Sequence, residues 1–178
     1  MEIKTARLLL RPFRFEDWEA VHAFRSDADA LKFEPWGPDS VEQVKRDLLI
    51  GGNSSIRHLT GDVEWAIIEE LTGRVVGGCR MKLLSPARDK RGWGMIGYVI
   101  GRQFWGMGFA TEATKAMIDF AHEQKIIGVK AISDSQNFAS VRVLEKCGFE
   151  CVGMIAETEA VKGRFRDMLK YEIRFSRA

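Results

Sequence analysis

The sequence predicts a single mixed domain of the α/β (α+β) class, a central sheet of about seven strands with flanking helices. Three observations carry that expectation. The chain has 178 residues, 46% of them hydrophobic and 29% charged, an ordinary globular mixture. Its middle holds successive segments of strand period joined by short turn signals. Beyond them a strand, a long amphipathic helix and a further strand follow one another, which is the pattern of a parallel, right-handed crossover.

In chain order, Arg7–Arg11 (RLLLR) reads as a first strand ending at Pro12. Asp17–Arg25 reads as a helix with Trp18, Val21, Ala23 and Phe24 as its apolar members. Two prolines and a glycine make Phe33–Pro38 a loop. Ser40 followed by Gln43 forms a capping box for a helix that ends near Ile50, before Gly51-Gly52. Val63–Glu70 and Val75–Leu84 form a hairpin through Leu71-Thr72-Gly73-Arg74, and Trp93–Ile100 completes a meander with Ile96, Tyr98 and Ile100 on one face. A helix follows from about Ala110 to Gln124. Its residues Ala110, Ala113, Thr114, Met117, Ile118 and Ala121 recur at helical spacing and form one stripe. Gly128–Ser133 is a strand, and Asn137–Cys147 is a helix stopped by Gly148. Glu150–Glu157 and Met168–Phe175 are two last strands around a polar turn at Lys162-Gly163-Arg164. The order is β-α-α-β-β-β-α-β-α-β-β. With no linker or internal repeat, residues 1–178 read as one domain.

A net charge of +2, from 27 basic and 25 acidic residues, is too balanced for nucleic acid to be the main partner. Local basic clusters stand at Arg7, Arg11 and Arg14, at Arg88, Lys90 and Arg91, and at Lys162, Arg164 and Arg166. Each reads as solvated surface or as the neighbour of an anionic ligand. Cys79, Cys147 and Cys151 lack paired spacing, which points to a reducing compartment. His22, His58 and His122 have no partner at ligand spacing, so no metal is expected. The start, MEIKTARLLLRPF, has no apolar run or cleavage site of a leader, and no segment is long enough to span a bilayer. A cytoplasmic protein without a membrane partner is the expectation.

Gln103-Phe104-Trp105-Gly106-Met107-Gly108 is a Q-x-x-G-x-G pattern between a strand and a helix. The first N–H groups of a helix lack intrahelical partners, and the helix dipole places partial positive charge there. Glycines let the backbone approach a ligand and take positive φ. A pyrophosphate therefore fits such a terminus, although a tight turn alone would also use two glycines. No Gly-Lys-Ser/Thr follows, which excludes a Walker loop, and the preceding antiparallel meander argues against a dinucleotide fingerprint.

Downstream stand Asn137-Phe138-Ala139-Ser140 and Leu144-Glu145-Lys146-Cys147-Gly148-Phe149. With ARLLLRPF at the start, WGMGFATEA at the loop, N-x-x-S-x-R-V-L-E-K-x-G-F and the late G-R-F-R-D, the chain resembles the GNAT acyl-CoA N-acyltransferase superfamily. It is most similar to the branch of ribosomal-protein N-terminal alanine acetyltransferases (RimJ/RimL-like). The resemblance covers nearly the whole chain and implies the GNAT fold. It also implies an N-acetyltransferase that moves an acetyl group from acetyl-CoA, as cosubstrate, to a primary amine, a protein N-terminus or a small molecule.

In enzymes of this kind the cosubstrate wedges between two splayed strands, here Trp93–Ile100 and Gly128–Ser133. The resemblance implies that Tyr98, Val99 and Ile100 meet the pantetheine arm. Gln103, Phe104, Trp105, Gly106, Met107, Gly108, Phe109, Ala110 and Thr111 then form the pyrophosphate loop, with the amides of Phe104–Ala110 as donors. Asn137 matches a position that reaches the pantetheine, and it is also a natural helix N-cap. The amide of Val99 or Ile100 is expected to hold the developing oxyanion.

The catalytic residues are less uniform. Many members carry a tyrosine acid where this chain has Leu144, and Ser140 matches the serine proposed as proton donor in the branch. Many also carry a glutamate where this chain has Met95. Glu159 is the first choice as base, with Glu157 and Glu34 as alternatives. Phe33, Glu34 and Trp36 are expected on the acceptor side, and Phe33, Trp36, Trp65, Tyr98 and Phe165 as an aromatic wall. A non-catalytic acyl-CoA-binding module of the same fold is the rival reading. The acceptor's identity stays open, and so does oligomeric state, a homodimer being admissible.

Overall fold

The computed structural model describes residues 1–51, 62–84, 92–156, 160–161 and 164–176. Two short strands open the chain, β1 (Ile3–Lys4) and β2 (Leu8–Arg11), followed by a 3-10 turn and helices α1 (Trp18–Arg25) and α2 (Val41–Gly51). The meander is β3 (Asp62–Glu69), β4 (Val75–Leu84) and β5 (Trp93–Ile100). Then come α3 (Phe109–Glu123), β6 (Gly128–Asp134), α4 (Phe138–Lys146) and β7 (Glu150–Ile155). A small hairpin, β8 (Ala160–Val161) and β9 (Arg164–Phe165), precedes the last strand, β10 (Met168–Arg174).

The main sheet has eight strands in the order β1-β2-β3-β4-β5-β6-β10-β7, and β8-β9 form a separate pair. The sheet is thus larger than the expected seven. β1 is two residues long and has no sequence period of its own; it exists because Ile3 and Lys4 pair with Leu10 and Leu9. The pair β8-β9 flanks Lys162-Gly163, where the sequence predicts a turn. The remaining expected elements occur, with ends shifted by one or two residues. Helix α1, for instance, begins at Trp18 because Phe15–Asp17 forms a 3-10 turn.

Strand alternation explains how both sheet faces are covered. One face of the meander presents Trp65, Ile67, Val76, Ile96 and Ile100, which pack with Ala113, Met117 and Phe120 of α3 and Leu144 of α4. Trp65 meets Phe120 edge-on at 5.5 Å, a contact worth about 1 kcal/mol beyond area burial. Val75 and Val99 point to the other face, where Val21 and Phe24 of α1 and Val44 and Leu48 of α2 cover them. The stripe foreseen on α3 is the buried one, with Phe109 and Phe120 extending it.

The turn into α1 is held by a buried ion pair. Arg11 donates from both terminal nitrogens to Asp17, at 2.7 and 2.8 Å, and the Arg14 amide donates to the same carboxylate at 2.8 Å. Burial alone would raise the Asp17 pKa, but the Arg11 and Arg14 hydrogen bonds outweigh it and hold the carboxyl below its ordinary range. A carboxyl lowered on folding adds stability above its unfolded pKa of about 3.9, and that contribution disappears as pH falls through the lower folded value. Asp17→Ala should therefore cost roughly 3 kcal/mol at neutral pH, because Arg11 stays buried without its partner. Urea unfolding at a series of pH values checks this, and the difference between variant and parent should shrink below about pH 4.

Candidate active site

β5 pairs with β4 along its full length, from Trp93–Leu84 to Ile100–Gly77. Its parallel ladder with β6 is much shorter and comprises Trp93–Gly128, Gly94–Val129 and Met95–Lys130. β6 nevertheless pairs with β10 out to Asp134–Met168. Both strands continue beyond Met95 and Lys130 while attached to their outer neighbours, so the sheet opens there into a cleft. The expected splay of these two strands is the observed geometry.

Backbone direction decides which groups of β5 face the cleft. The Gly101 N–H donates to the Val76 carbonyl on the β4 side, and the Val99 carbonyl turns towards Gly77 of β4. Strand alternation then sends the N–H and C=O of Tyr98 and Ile100 the other way, into the cleft. The Ile100 carbonyl accordingly accepts from the Trp105 indole at 2.8 Å rather than from β4.

The glycine loop joins the end of β5 to α3. Its first part is a 3-10 turn over Arg102–Phe104, in which the amides of Phe104 and Trp105 donate to Gly101 and Arg102. Those two amides are used internally, so the available cradle begins at Gly106. The amides from Gly106 to Ala110 make no backbone bond outside the helix itself. Gly106 and Gly108 have φ of 77° and 81°, where a side chain is strained, and Gly108 is the N-cap of α3.

Side chains pin this loop. Phe104 and Phe109 are buried and face each other at 6.5 Å, while Gln103 and Met107 point outward. Ala110 and Thr111 continue the first turn half-buried, and the Thr111 carbonyl accepts from the Cys147 thiol. Arg7 reaches in from the start of the chain. Its Nε and Nη2 each lie 2.7 Å from Glu112 Oε2, its Nη1 donates to the Met107 carbonyl at 3.0 Å, and its guanidinium lies over the Phe109 ring at 4.9 Å. Glu112 also accepts from Thr5 and the Arg7 amide. Nothing in the spacing of Arg7 and Glu112 announces this latch.

Across the cleft, Asn137 caps α4 by accepting from the Ser140 N–H at 3.1 Å. The Tyr98 and Ser140 hydroxyls lie 2.9 Å apart. Burial pushes the Tyr98 hydroxyl up to about 12, the Ser140 hydrogen bond pulls the other way, and the Glu34 carboxylate adds to the rise. Tyr98, Ser140 and Asn137 are thus brought together at the cleft. Leu144 is buried in the core and offers no polar group there.

On the expected acceptor side, Phe33, Glu34 and Trp36 are half-buried in the loop after α1. Each aromatic ring there carries a cation of the protein. Lys32 and Arg166 lie 5.2 Å from Phe33, and Arg25 lies 5.6 Å from Trp36. Arg25 also binds Asp39 and Asp47, tying the loop to α2. Arg166 is held by Asp134 at 2.8 Å in a buried pair at the end of β6. Two members of the expected wall stand elsewhere. Trp65 is fully buried against Phe120, since its strand position faces α3, and Phe165 is largely exposed on β9. Glu157 and Glu159 lie outside the described residues. Among the described residues no group of His, Cys, Asp or Glu is arranged to hold a metal ion, and no helix is long and apolar enough to cross a membrane.

Residues 7–150 match the acetyltransferase (GNAT) domain family. The chain is 28% identical over 171 residues to an uncharacterized N-acetyltransferase p20 of Bacillus licheniformis, covering 95% of this chain and 93% of that one. Among solved structures, a GNAT-family acetyltransferase from Bacillus anthracis superposes with a TM-score of 0.85 at 27% identity, covering 98% of both chains. A RimL ribosomal L7/L12 alpha-N-protein acetyltransferase in complex with coenzyme A superposes at 0.82 with 19% identity, again over 98% of both. The split ladder, the glycine loop at the start of α3 and the family match over most of the chain agree, and the protein belongs to the GNAT acetyltransferase family.

Proposed function

We propose that the protein transfers an acetyl group from acetyl-CoA to a primary amine, either a protein N-terminus or a small molecule, in the cytoplasm. The early end of the β5–β6 ladder carries this reading, because it leaves cleft-facing backbone groups of Tyr98 and Ile100 free of a strand partner. The pantetheine arm would complete that edge as an added strand does. The amides of Gly106–Ala110, at the positive end of α3, would hold the pyrophosphate. Asn137 uses its side-chain oxygen on the Ser140 amide and keeps its NH2 for the pantetheine. The three free thiols suit a reducing compartment.

The reaction is direct attack of a neutral amine on the thioester carbonyl. An α-amino group has a reference pKa of about 8 and a lysine amine one of about 10.4, so a base must take the proton. Glu159 is the first candidate, with Glu157 and Glu34 behind it. Glu34 is supported by its half-buried place in the loop on the expected acceptor side. Of the two amides considered for the oxyanion, Ile100 is favoured because its backbone faces the cleft whereas that of Val99 faces β4. Ser140 would hydrogen-bond the departing sulfur. The rival, a binding module without turnover, is favoured by the absence of a polar group at Leu144 and Met95.

Free-thiol release from acetyl-CoA, measured against a panel of amines and N-terminal peptides, tests the proposal. Acceptor-dependent release is expected. Thermal stabilisation by coenzyme A with no release across the panel would favour the binding module. Gly106→Glu should abolish both stabilisation and turnover, since it puts a side chain and a negative charge where φ is 77° and phosphate must sit. Arg7→Ala should raise the KM for acetyl-CoA about 3- to 10-fold and leave kcat near the parent value, because it frees the loop without touching the reacting atoms.

A further inference from the structure

The contact between Tyr98 and Ser140 joins the two lips of the cleft. Tyr98 belongs to β5, whose partner strand is β4, and Ser140 belongs to the first turn of α4, which follows β6. The two elements separate after Met95 and Lys130, yet the hydroxyls meet at 2.9 Å. Neither end is free to drift. Tyr98 is held by the β4 ladder and packs its ring against the main core, and the Ser140 amide is bonded to the Asn137 cap.

A serine hydroxyl turns about its C–O bond, so its hydrogen points wherever the best acceptor lies. A phenol is the more acidic of the two hydroxyls, with a reference pKa of about 10, and is the better donor of the pair. The Ser140 carbonyl is its other acceptor within reach, at the longer distance of 3.5 Å. With the Tyr98 O–H directed at Ser140 Oγ, that lone pair is occupied and the Ser140 hydrogen is sent elsewhere. Ser140 is half-buried on the first turn of α4, which leaves its hydrogen for a ligand in the cleft.

We infer that Tyr98 is a positioning residue for the acetyl transfer, donating to Ser140 Oγ across the cleft and aiming the Ser140 hydroxyl at the sulfur of the departing thiolate. The inference rests on the acetyltransferase reading. When the C–S bond breaks, its electron pair stays on sulfur. The Ser140 O–H donates a hydrogen bond to that sulfur, and the Tyr98 O–H donates to Ser140 in turn. No proton leaves Tyr98, and the thiolate takes its proton from water. Two donors in series polarise one another, which strengthens the bond to sulfur as its charge develops. Because Tyr98 acts through Ser140, its contribution must vanish when Ser140 is gone.

Steady-state kinetics on the full chain test this with Tyr98→Phe, Ser140→Ala and the double variant, using acetyl-CoA and the best amine of the panel. Tyr98→Phe is expected to lower kcat about tenfold, the scale of one positioned hydrogen bond, with the KM for acetyl-CoA within about twofold of the parent. In the Ser140→Ala background the same change should cost less than about twofold. An unchanged kcat in Tyr98→Phe, or an equal loss in both backgrounds, overturns the inference. A parent that turns over no amine overturns the acetyltransferase reading and this inference with it.

The contact itself is checked without Tyr98→Phe. The chain has two tyrosines, so protein carrying 13C at the tyrosine ζ carbon gives two NMR signals, which Tyr171→Phe assigns. Ser140→Ala should move the Tyr98 signal, and a signal that stays in place overturns the inference.

Discussion

The parallel pairing of β5 and β6 stops after Met95 and Lys130, and much of the architecture serves to keep it stopped. Strand edges left unpaired in a sheet's interior attract a partner or close on each other. Here each strand is committed to its outer neighbour, β5 to β4 and β6 to β10, for its full length. The right-handed twist of sheets carries such strands apart once their mutual ladder ends. The crossover helix α3 packs against β5 and β6 on the Trp65 face and fixes their separation. An opening is thereby built from regular elements.

The end of that opening is defined by side chains anchored in the core rather than by a rigid loop sequence. Phe104 and Phe109 hold the glycine loop from below, and Trp105 returns its indole to the carbonyl of Ile100. The charges that look like a basic cluster near the start of the chain are divided between tasks. Arg11 closes on Asp17 beneath α1, while Arg7 closes on Glu112 and Met107 beside the loop. Arg166 is similarly absorbed by Asp134, at the far end of β6. The balanced composition is thus matched locally, since Arg7, Arg11 and Arg166 each meet a carboxylate in their own neighbourhood.

The elements with strong period were legible from the sequence. The meander, the α3 stripe and the capped start of α4 are set by local alternation and by Asn137, and they stand where expected. The family motifs located the loop, because two glycines before a helix demand a particular backbone. What the sequence could not carry is pairing at a distance. β1 is a strand only through Leu9 and Leu10, and the Arg7–Glu112 and Tyr98–Ser140 contacts span long stretches of chain with no mutual spacing rule. Among the expected wall aromatics a core place suits Trp65 better than Trp36, and its packing on Phe120 of α3 makes it core. Glu157 and Glu159 lie outside the described residues, so their candidacy as base rests on the sequence alone.

The latch from Arg7 to Glu112 has a consequence for the order in which the protein is assembled. It closes across 105 residues, so its formation requires the first strand to dock long after the meander and α3 have local reasons to form. Contacts of such separation bear a large loop-closure entropy and are made late. The loop before α3 gains its Arg7 contacts only at that step, together with the seating of Leu8 and Leu10 in the core. An intermediate that lacks β1 and β2 would leave that loop without its Arg7 contacts. By mass action, a ligand held by that loop would favour chains whose first strand has docked beside α3, and so would proofread folding.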